Sequence, residues 1–240
     1  MRENGKSYSR GRNNGQKISI PTMWISIILL VGVVVLSTIM YQCSRSSCSF
    51  DGHPTKKAYV FAANMRTLWE DHLVWTRNYI ISDIAGLADK ADVAARLLKN
   101  QDDIGNAIVP LYGDETGAKL AALLKQHILI AVEVVIAAKA NDPKALEVSS
   151  KKWYTNADDI ALFLSSAIST TSKEAQKIAN DSLKDMLYKH LEYTTGEVVS
   201  RLKQDWKADI EFYDKGHQHM LMLSDFLVGA MYKQFPKNFK

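Results

Sequence analysis

The chain has 240 residues, of which 47% are hydrophobic and 23% charged, so it is long enough for one domain with a sizeable core. Its formal net charge of +4 equals the charge of residues 1–17 alone, so the remaining sequence is balanced and its charge does not indicate nucleic-acid binding. Only two cysteines occur, Cys43 and Cys48, which excludes a disulfide scaffold or thiol catalysis beyond them. In an oxidising compartment these two can pair with each other or between two chains.

Residues 1–17 form a polar, basic segment rich in Gly, Asn and Ser, which predicts a disordered tail. Such a tail can contact anionic lipid headgroups, or it can act only as a signal for membrane topology.

Residues 18–43 contain no charged side chain and are almost wholly apolar. About 20 apolar residues cross a bilayer as a helix, and Trp24 and Tyr41 lie near the two ends, where aromatic rings favour the interface. The basic tail predicts a cytoplasmic N-terminus and an extracytoplasmic C-terminal domain. A cleaved signal peptide is the alternative, although its apolar region is usually about 7–15 residues long. A polar linker, residues 44–57, follows.

Residues 58–240 show apolar positions at three- and four-residue spacing and almost no strand alternation, which predicts an all-α bundle. Gly, Pro, Asn, Asp and Ser/Thr signals separate the helices, and the last break, near residue 205, is the weakest. The predicted helices are 57–85, 91–109, 115–139, 143–168, 173–203 and 206–234.

An internal repeat predicts how these helices pair. The block "NQDDI" begins 28 residues after His72, "NADDI" begins 29 residues after His127, and "HQH" begins 27 residues after His190. Residues equidistant from a tight turn lie side by side in an antiparallel helical pair. We therefore expect three antiparallel hairpins, with each histidine facing a polar cluster on the second helix of its own hairpin.

The histidines fall on otherwise apolar helical stripes, which predicts a buried polar layer. One interpretation is a site for a divalent metal such as Zn, Fe or Mn, held by imidazoles and carboxylates from facing helices. The candidate metal ligands are His72, Asp103, His127, Asp159, His190, Glu197, Asp214 and His217, and the candidate ligand-binding residues are Asn100, Asn156, Thr76 and Thr194. The other interpretation is a core whose polar groups only satisfy each other's hydrogen bonds.

Several sequence blocks resemble a family of small all-helical bacterial proteins to which no function has been assigned. The blocks are "LWEDH", "NQDDIGNAI", "LYGD", "LLKQHILIA", "WYTNADDIALFLS", "HLEYTTGE" and "YDKGHQHMLMLSD", and the resemblance covers residues 65–236. It implies a helical bundle and adds no catalytic residue. The anchor and basic tail are not part of that family's usual plan, which suggests an adaptation to an envelope or a virion membrane.

The sequence thus predicts a membrane-anchored helical bundle with a buried His/Asp/Asn cluster that binds a metal or a small ligand. The alternative is a structural or interaction protein of an envelope, and a metal-dependent oxidoreductase or hydrolase is a third hypothesis. The sequence contains no Gly-rich phosphate loop, no Gly-x-Ser-x-Gly motif and no His-Glu-x-x-His motif. Expected partners are membrane lipid through residues 18–43 and either a second copy of the chain or envelope proteins, but no nucleic acid.

Overall fold

Six helices account for most of the computed structural model, which describes residues 55–168 and 172–240. They are α1 (Lys56–Ala85), α2 (Lys90–Tyr112), α3 (Asp114–Lys139), α4 (Pro143–Ile168), α5 (Lys173–Leu202) and α6 (Trp206–Gln234). No strand occurs in these two ranges. The all-α prediction is confirmed for them, whereas the predicted tail and the predicted membrane helix, residues 18–43, lie outside the described residues.

Side-chain caps explain why several helices begin where they do. Thr55, Ser172 and Asp205 each precede a helix and accept a hydrogen bond from the backbone amide three residues later. This bond satisfies one of the amides that a helix leaves unpaired at its start. At the other end of α1, Gly86 adopts φ 68°, a conformation that glycine permits at little cost.

The end of α2 differs from the prediction. We expected the helix to stop at residue 109, before Pro110, but it continues to Tyr112 and only Gly113 separates it from α3. Pro110 lies near the end of the helix, where its missing amide removes only one helical hydrogen bond. The φ of 84° at Gly113 then reverses the chain in a single residue.

Each helix packs against the next one in sequence, and α6 packs back against α1. Helix α5 also contacts α1 and α3, so it reaches further into the bundle than its sequence neighbours alone require. The fully buried side chains include Met65, Ile104, Leu120, Ile160, Leu183, Leu191 and Leu223, drawn from all six helices. One main apolar core therefore joins the six helices, and two smaller apolar clusters lie beside it.

Helix α3 is long and apolar enough to cross a membrane by length and composition, with a mean hydropathy of 1.9 in its most apolar window. Half of that window is buried inside the bundle. Its buried side chains, which include Leu120, Leu124 and Val134, belong to the main core. A core helix passes the same test of hydropathy, and the packing of α3 accounts for its apolar composition.

Candidate functional site

A row of five aromatic rings crosses the interior of the bundle. In order it contains Trp69, His72, His190, His127 and Trp153, and successive ring centroids are 6.1, 5.6, 6.1 and 5.3 Å apart. Every member is at most 3% exposed. Four helices contribute, since α1 supplies the first two rings and α5, α3 and α4 supply one each. We call these five residues the histidine row.

His127 is the best-paired member of the row. Its Nδ1 atom lies 2.7 Å from Oδ1 of Asn156, and the Nδ2 atom of this asparagine donates to the carbonyl of Leu123 at 3.3 Å. The second bond orients the amide so that its oxygen faces the imidazole. His127 therefore carries its proton on Nδ1, which leaves Nε2 as the acceptor atom.

The partner of His72 is Gln101, which binds more weakly and was not predicted from the repeat. The Nδ1 atom of His72 lies 3.4 Å from Nε2 of Gln101, which donates more closely to the carbonyl of Leu97 at 2.8 Å and to Oδ1 of Asn100 at 3.1 Å. An amide nitrogen has only two hydrogens, so the long contact with His72 adds little. The predicted partner, Asn100, reaches His72 only through Gln101 and donates to the carbonyl of Leu68 at 3.0 Å.

His190 lies between the other two imidazoles. Its Nδ1 atom is buried without a hydrogen-bond partner among the described residues. The same holds for three further atoms of the row and its neighbourhood, the indole nitrogens of Trp69 and Trp153 and the amide oxygen of Gln101. Buried polar atoms in folded proteins nearly always have a partner, so four such atoms around one row are unusual.

Burial keeps the imidazoles of the row uncharged. It lowers the pKa of His72 to about 3, with a further contribution from His127, and it lowers the pKa of His127 to about 4. The pKa of His190 also falls well below its ordinary value, first through burial and then through the neighbouring histidines. All three rings are therefore neutral at physiological pH, the form in which an imidazole can both donate and accept.

Two threonines predicted as binding residues form hydrogen bonds with the backbone of their own helices. Thr76 Oγ1 donates to the carbonyl of His72 at 2.7 Å, and Thr194 Oγ1 donates to the carbonyl of His190 at 3.0 Å. Each hydroxyl therefore bonds the backbone four residues before it. This satisfies the hydroxyls within their own helices, and it leaves their methyl groups available to line a cavity.

An apolar cavity of about 50 Å³ lies beside the row. Four of the residues that line the cavity connect it to the row. Trp153 belongs to the row, and Thr76 and Thr194 bond to the backbone of His72 and His190. The carbonyl of Leu97 accepts from Gln101, the partner of His72. The other lining side chains are mainly valine, isoleucine, leucine and alanine. One water needs about 10–15 Å³ of such volume, so the cavity has room for roughly three or four water-sized groups.

Four of the predicted metal ligands lie away from the row. Asp103 pairs with Lys99, Asp159 is exposed at a surface groove between α3 and α4, and Asp214 is exposed on α6. Nε2 of His217 lies 3.1 Å from Oε1 of Glu70, on the side of the bundle where α6 meets α1. In the described part of the chain, no group of three or more His, Cys, Asp or Glu is arranged to hold a metal ion.

The offset from His190 predicted a third pairing, with His217 or His219, and the structure places these residues differently. His219 Nε2 donates to the carbonyl of Met186 at 2.8 Å, and its ring contacts Tyr193 with centroids 5.7 Å apart. Since α5 contacts α1 and α3 as well as α6, the ring of His190 lies against the rings of His72 and His127. His219 on α6 is near enough to contribute to the lowered pKa of His190.

Glu197, the fourth predicted carboxylate, belongs to a buried ion network. Arg77 donates to Oε1 of Glu197 at 2.8 Å and to both carboxylate oxygens of Asp209 at 3.1 Å, and Arg201 donates to Asp209 at 2.9 Å. Burial raises the pKa of Glu197 to about 7 although Arg77 opposes the shift. The network joins α1, α5 and α6, so Glu197 holds helices together and does not reach the histidines.

Comparison of the chain with protein-family models, with curated proteins and with solved structures gives no match. The resemblance to the helical bacterial family therefore stays a prediction from the quoted blocks.

Sequence reasoning missed three members of the site. Gln101 follows Asn100 directly and falls on the buried stripe with Leu97 and Ile104, so its helical position was a usable signal. Trp69 and Trp153 lie three residues before His72 and Asn156 respectively, one helical turn away. Nothing in the sequence indicates that the N–H groups of these two indoles have no partner among the described residues.

Proposed function

We propose that this chain is a membrane-anchored helical-bundle protein that binds a small, uncharged ligand at the histidine row. The observation that carries the proposal is the set of four buried atoms without a partner in the described residues, Trp69 Nε1, Trp153 Nε1, His190 Nδ1 and Gln101 Oε1. Both indoles are donors and the amide oxygen is an acceptor. The indoles lie at opposite ends of the row, so each end is suited to its own small hydrogen-bonding group.

The charge of the surroundings favours an uncharged ligand. The three imidazoles are neutral because of their burial, with pKa values of about 3 for His72 and about 4 for His127. The nearby carboxylates Glu197 and Asp209 are already paired with Arg77. An ion placed in the row would lose its hydration without gaining an opposite charge, at a cost of several kcal/mol.

The adjoining cavity limits the size of the ligand. It holds only about 50 Å³, and its lining is apolar apart from groups already satisfied within their helices. Trp153 is the one member of the row that lines the cavity, so a ligand there has one hydrogen-bonding end at the indole of Trp153 and a short apolar part among the aliphatic side chains. Simple alcohols, aldehydes and amides of a few heavy atoms fit this description, whereas a haem or another large planar group is too big for this cavity.

A metal is the second candidate, because the neutral imidazole is also the form that coordinates Zn, Fe or Mn. His72, His127 and His190 would be its ligands, since the carboxylates predicted to complete the site lie elsewhere. Metal binding would require these rings to move together, because in the described residues no preformed group of three ligands exists.

The rest of the proposal comes from the sequence. Residues 18–43 serve as the membrane anchor, residues 1–17 remain in the cytoplasm, and the bundle, arranged as three antiparallel hairpins, lies outside. A structural or interaction role at an envelope is the alternative, and the close bond between His127 and Asn156 favours it, because that pair is satisfied without a ligand.

Nuclear magnetic resonance of the indole groups tests the proposal directly. We would label the tryptophans of the full chain with ¹⁵N, purify it in detergent, and titrate it with isopropanol, propionaldehyde and acetamide, and separately with Zn²⁺, Mn²⁺ and Fe²⁺. A ligand at the row should shift the indole N–H signal of Trp69 or of Trp153 saturably, according to the end at which it binds. Trp206, which is 52% exposed, provides the control within the same molecule.

Mass spectrometry and metal analysis of the same preparation identify any ligand carried through purification. Saturable shifts of Trp69 and Trp153 by a metal but by no organic probe would establish the metal version. The binding proposal fails if three results occur together. The indole signals do not respond to any probe, the purified chain carries no ligand or metal, and it melts identically with and without chelator. Only the structural role would then remain.

A further inference from the structure

A groove of about 470 Å³ opens where the beginning of α1, the end of α2 and the C-terminal segment meet. We call it the basic groove and define it by Lys56, Lys57, Val60, Phe61, Asn238 and Phe239, all of which line it. It lies at the end of the bundle where the chain enters from the preceding linker, and it is far from the histidine row along α1.

The charged side chains that line the basic groove have one sign. Its lining comes from residues 56–64, 107–111 and 238–239, and these three stretches contain no Asp or Glu. The exposed cations Lys56, Lys57, Lys233, Lys237 and Lys240 form no ion pair with any carboxylate in the described ranges. The carboxylates at this end of the bundle belong to the beginnings of α3 and α5.

Exposed apolar side chains lie beside these lysines. Tyr59 is 67% exposed and Val60 is 45% exposed, although both belong to the first turns of a core helix. The C-terminal segment is held against α1 and α6, because the ring of Phe239 lies 5.1 Å from that of Phe61 and 4.6 Å from that of Tyr232. Lysine beside tyrosine and exposed aliphatic groups is a combination that suits the interface between lipid headgroups and acyl chains.

The length of the linker fits a membrane as the occupant. Residues 44–55 separate the end of the proposed anchor from α1, and a chain of about 12 residues spans at most roughly 40 Å when fully extended. If residues 18–43 span the membrane, the linker keeps the beginning of α1 within roughly 40 Å of its surface, so the lysines can reach the headgroups. Cations near an anionic surface are attracted within about one Debye length, roughly 8–10 Å at ordinary ionic strength.

We propose that the basic groove docks on anionic lipid headgroups, so that the bundle rests on the membrane in a fixed orientation. This inference rests on the anchor of the proposed function but not on the ligand at the histidine row. The lysines contact headgroup phosphates, and Tyr59 and Val60 enter the interfacial layer. A docked bundle presents its opposite end, with the α3–α4 and α5–α6 turns, to the surrounding medium.

Spin labelling of the full chain tests the docking. We would replace Cys43 and Cys48 by Ser, introduce Val60→Cys with a nitroxide, and place single copies in nanodiscs of phosphatidylcholine with or without about 30% phosphatidylglycerol. Accessibility to oxygen and to a water-soluble nickel complex reports whether the label lies in lipid. A second label at Leu30→Cys reports separately whether the anchor spans the disc.

The expected result is a Val60 label that becomes protected from nickel in phosphatidylglycerol discs and is released by high salt. The triple substitution Lys56→Gln, Lys57→Gln and Lys237→Gln should abolish this protection. The matched control removes the same charge elsewhere, through Lys144→Gln, Lys151→Gln and Lys203→Gln, which are exposed lysines on the remainder of the bundle. The control should leave the protection unchanged.

Three results would overturn the docking. In the first, the Val60 label stays accessible to nickel on phosphatidylglycerol discs. In the second, its protection is the same with and without the anionic lipid. In the third, the two triple variants lose protection equally. Dipolar broadening between labels in discs that hold two copies, without lipid dependence, would show that a second chain covers the groove instead. A Leu30 label in water would refute the anchor, while the Val60 label would still decide whether the groove binds lipid.

Discussion

The imidazole of His127 donates from Nδ1 to Oδ1 of Asn156 over 2.7 Å, and the two residues lie on consecutive helices, 29 positions apart. Asn156 is 2% exposed and His127 is 3% exposed, so water cannot readily replace either partner. The pair links α3 to α4 at the end of the histidine row, and it fixes the orientation of one of the three imidazoles.

Replacing His127 by Leu should destabilise the bundle by about 1–3 kcal/mol, because the oxygen of Asn156 is left buried and unpaired. A double variant in which Asn156 is also replaced by Leu should lose less than the sum of the two single changes. Denaturant unfolding of the four proteins, followed by circular dichroism, measures this coupling. Additive losses would show that the bond contributes nothing to stability.

Much of the fold follows from local sequence signals. All six helices begin and end within three residues of the predicted positions, because Thr55, Ser172 and Asp205 cap the helices as their residue types indicate. The 29-residue offset also predicted correctly that His127 faces Asn156, because the two helices are consecutive in the chain. Two consecutive helices joined by a short turn leave little freedom in their relative height.

The rest of the site depends on helices that are distant in sequence. His190 meets His72 because α5 packs against α1, and no periodicity within either helix specifies that contact. Arg77 and Asp209 pair across 132 residues for the same reason. Helical spacing predicts which face of a helix is buried, but it does not predict which distant helix that face meets.

The ion network predicts a large effect at Asp209. This carboxylate is 1% exposed and accepts from both Arg77 and Arg201, so Asp209→Asn leaves two cations without their main partner. We expect a loss of about 3–5 kcal/mol in the free energy of unfolding. The control is Asp225→Asn, because Asp225 pairs with Arg66 where the side chains are 53% and 44% exposed. This surface change should cost less than about 1 kcal/mol. Equal losses in the two variants would contradict a structural role for the network.

The close approach of α2 and α3 predicts opposite effects for two glycines. A Cβ atom at Gly105 would lie 2.5 Å from the carbonyl oxygen of Gly117 and 2.8 Å from Cβ of Ala121, so the backbones would have to separate. Gly105→Ala should therefore destabilise the bundle by about 1–3 kcal/mol. At Gly229, within α6, nothing lies within 4 Å of an added Cβ, and Gly229→Ala should stabilise by about 0.5–1 kcal/mol. Thermal unfolding of both variants measures the difference, and a neutral Gly105→Ala would show that the helices are not held this close.

The buried imidazoles should make the bundle unstable in acid. The pKa of His72 is about 3 and that of His127 about 4 in the folded chain, against 6.5 when exposed, and His190 is lowered as well. A depressed pKa gives stability that is present above pH 6.5 and is lost as the pH falls, because the unfolded chain takes up protons first. Glu197 acts in the opposite direction, since its raised pKa of about 7 gives stability that is lost as the pH rises from 4.5 to 7. Three histidines outweigh one glutamate, so we expect a net loss of about 2–3 kcal/mol between pH 6.5 and 5.

Two variants separate these contributions. His127→Gln removes one of the titrating imidazoles and keeps an amide that can donate to Asn156, so the loss between pH 6.5 and 5 should become less steep by about 1 kcal/mol per pH unit. Glu197→Gln removes the opposing group and should make the loss steeper. Guanidinium unfolding of the full chain in detergent at a series of pH values, followed by near-ultraviolet circular dichroism, gives both slopes. A free energy of unfolding that is flat or rises as the pH falls from 6.5 to 5 would mean that the imidazoles can be protonated within the folded bundle, and therefore that the row admits water and charge.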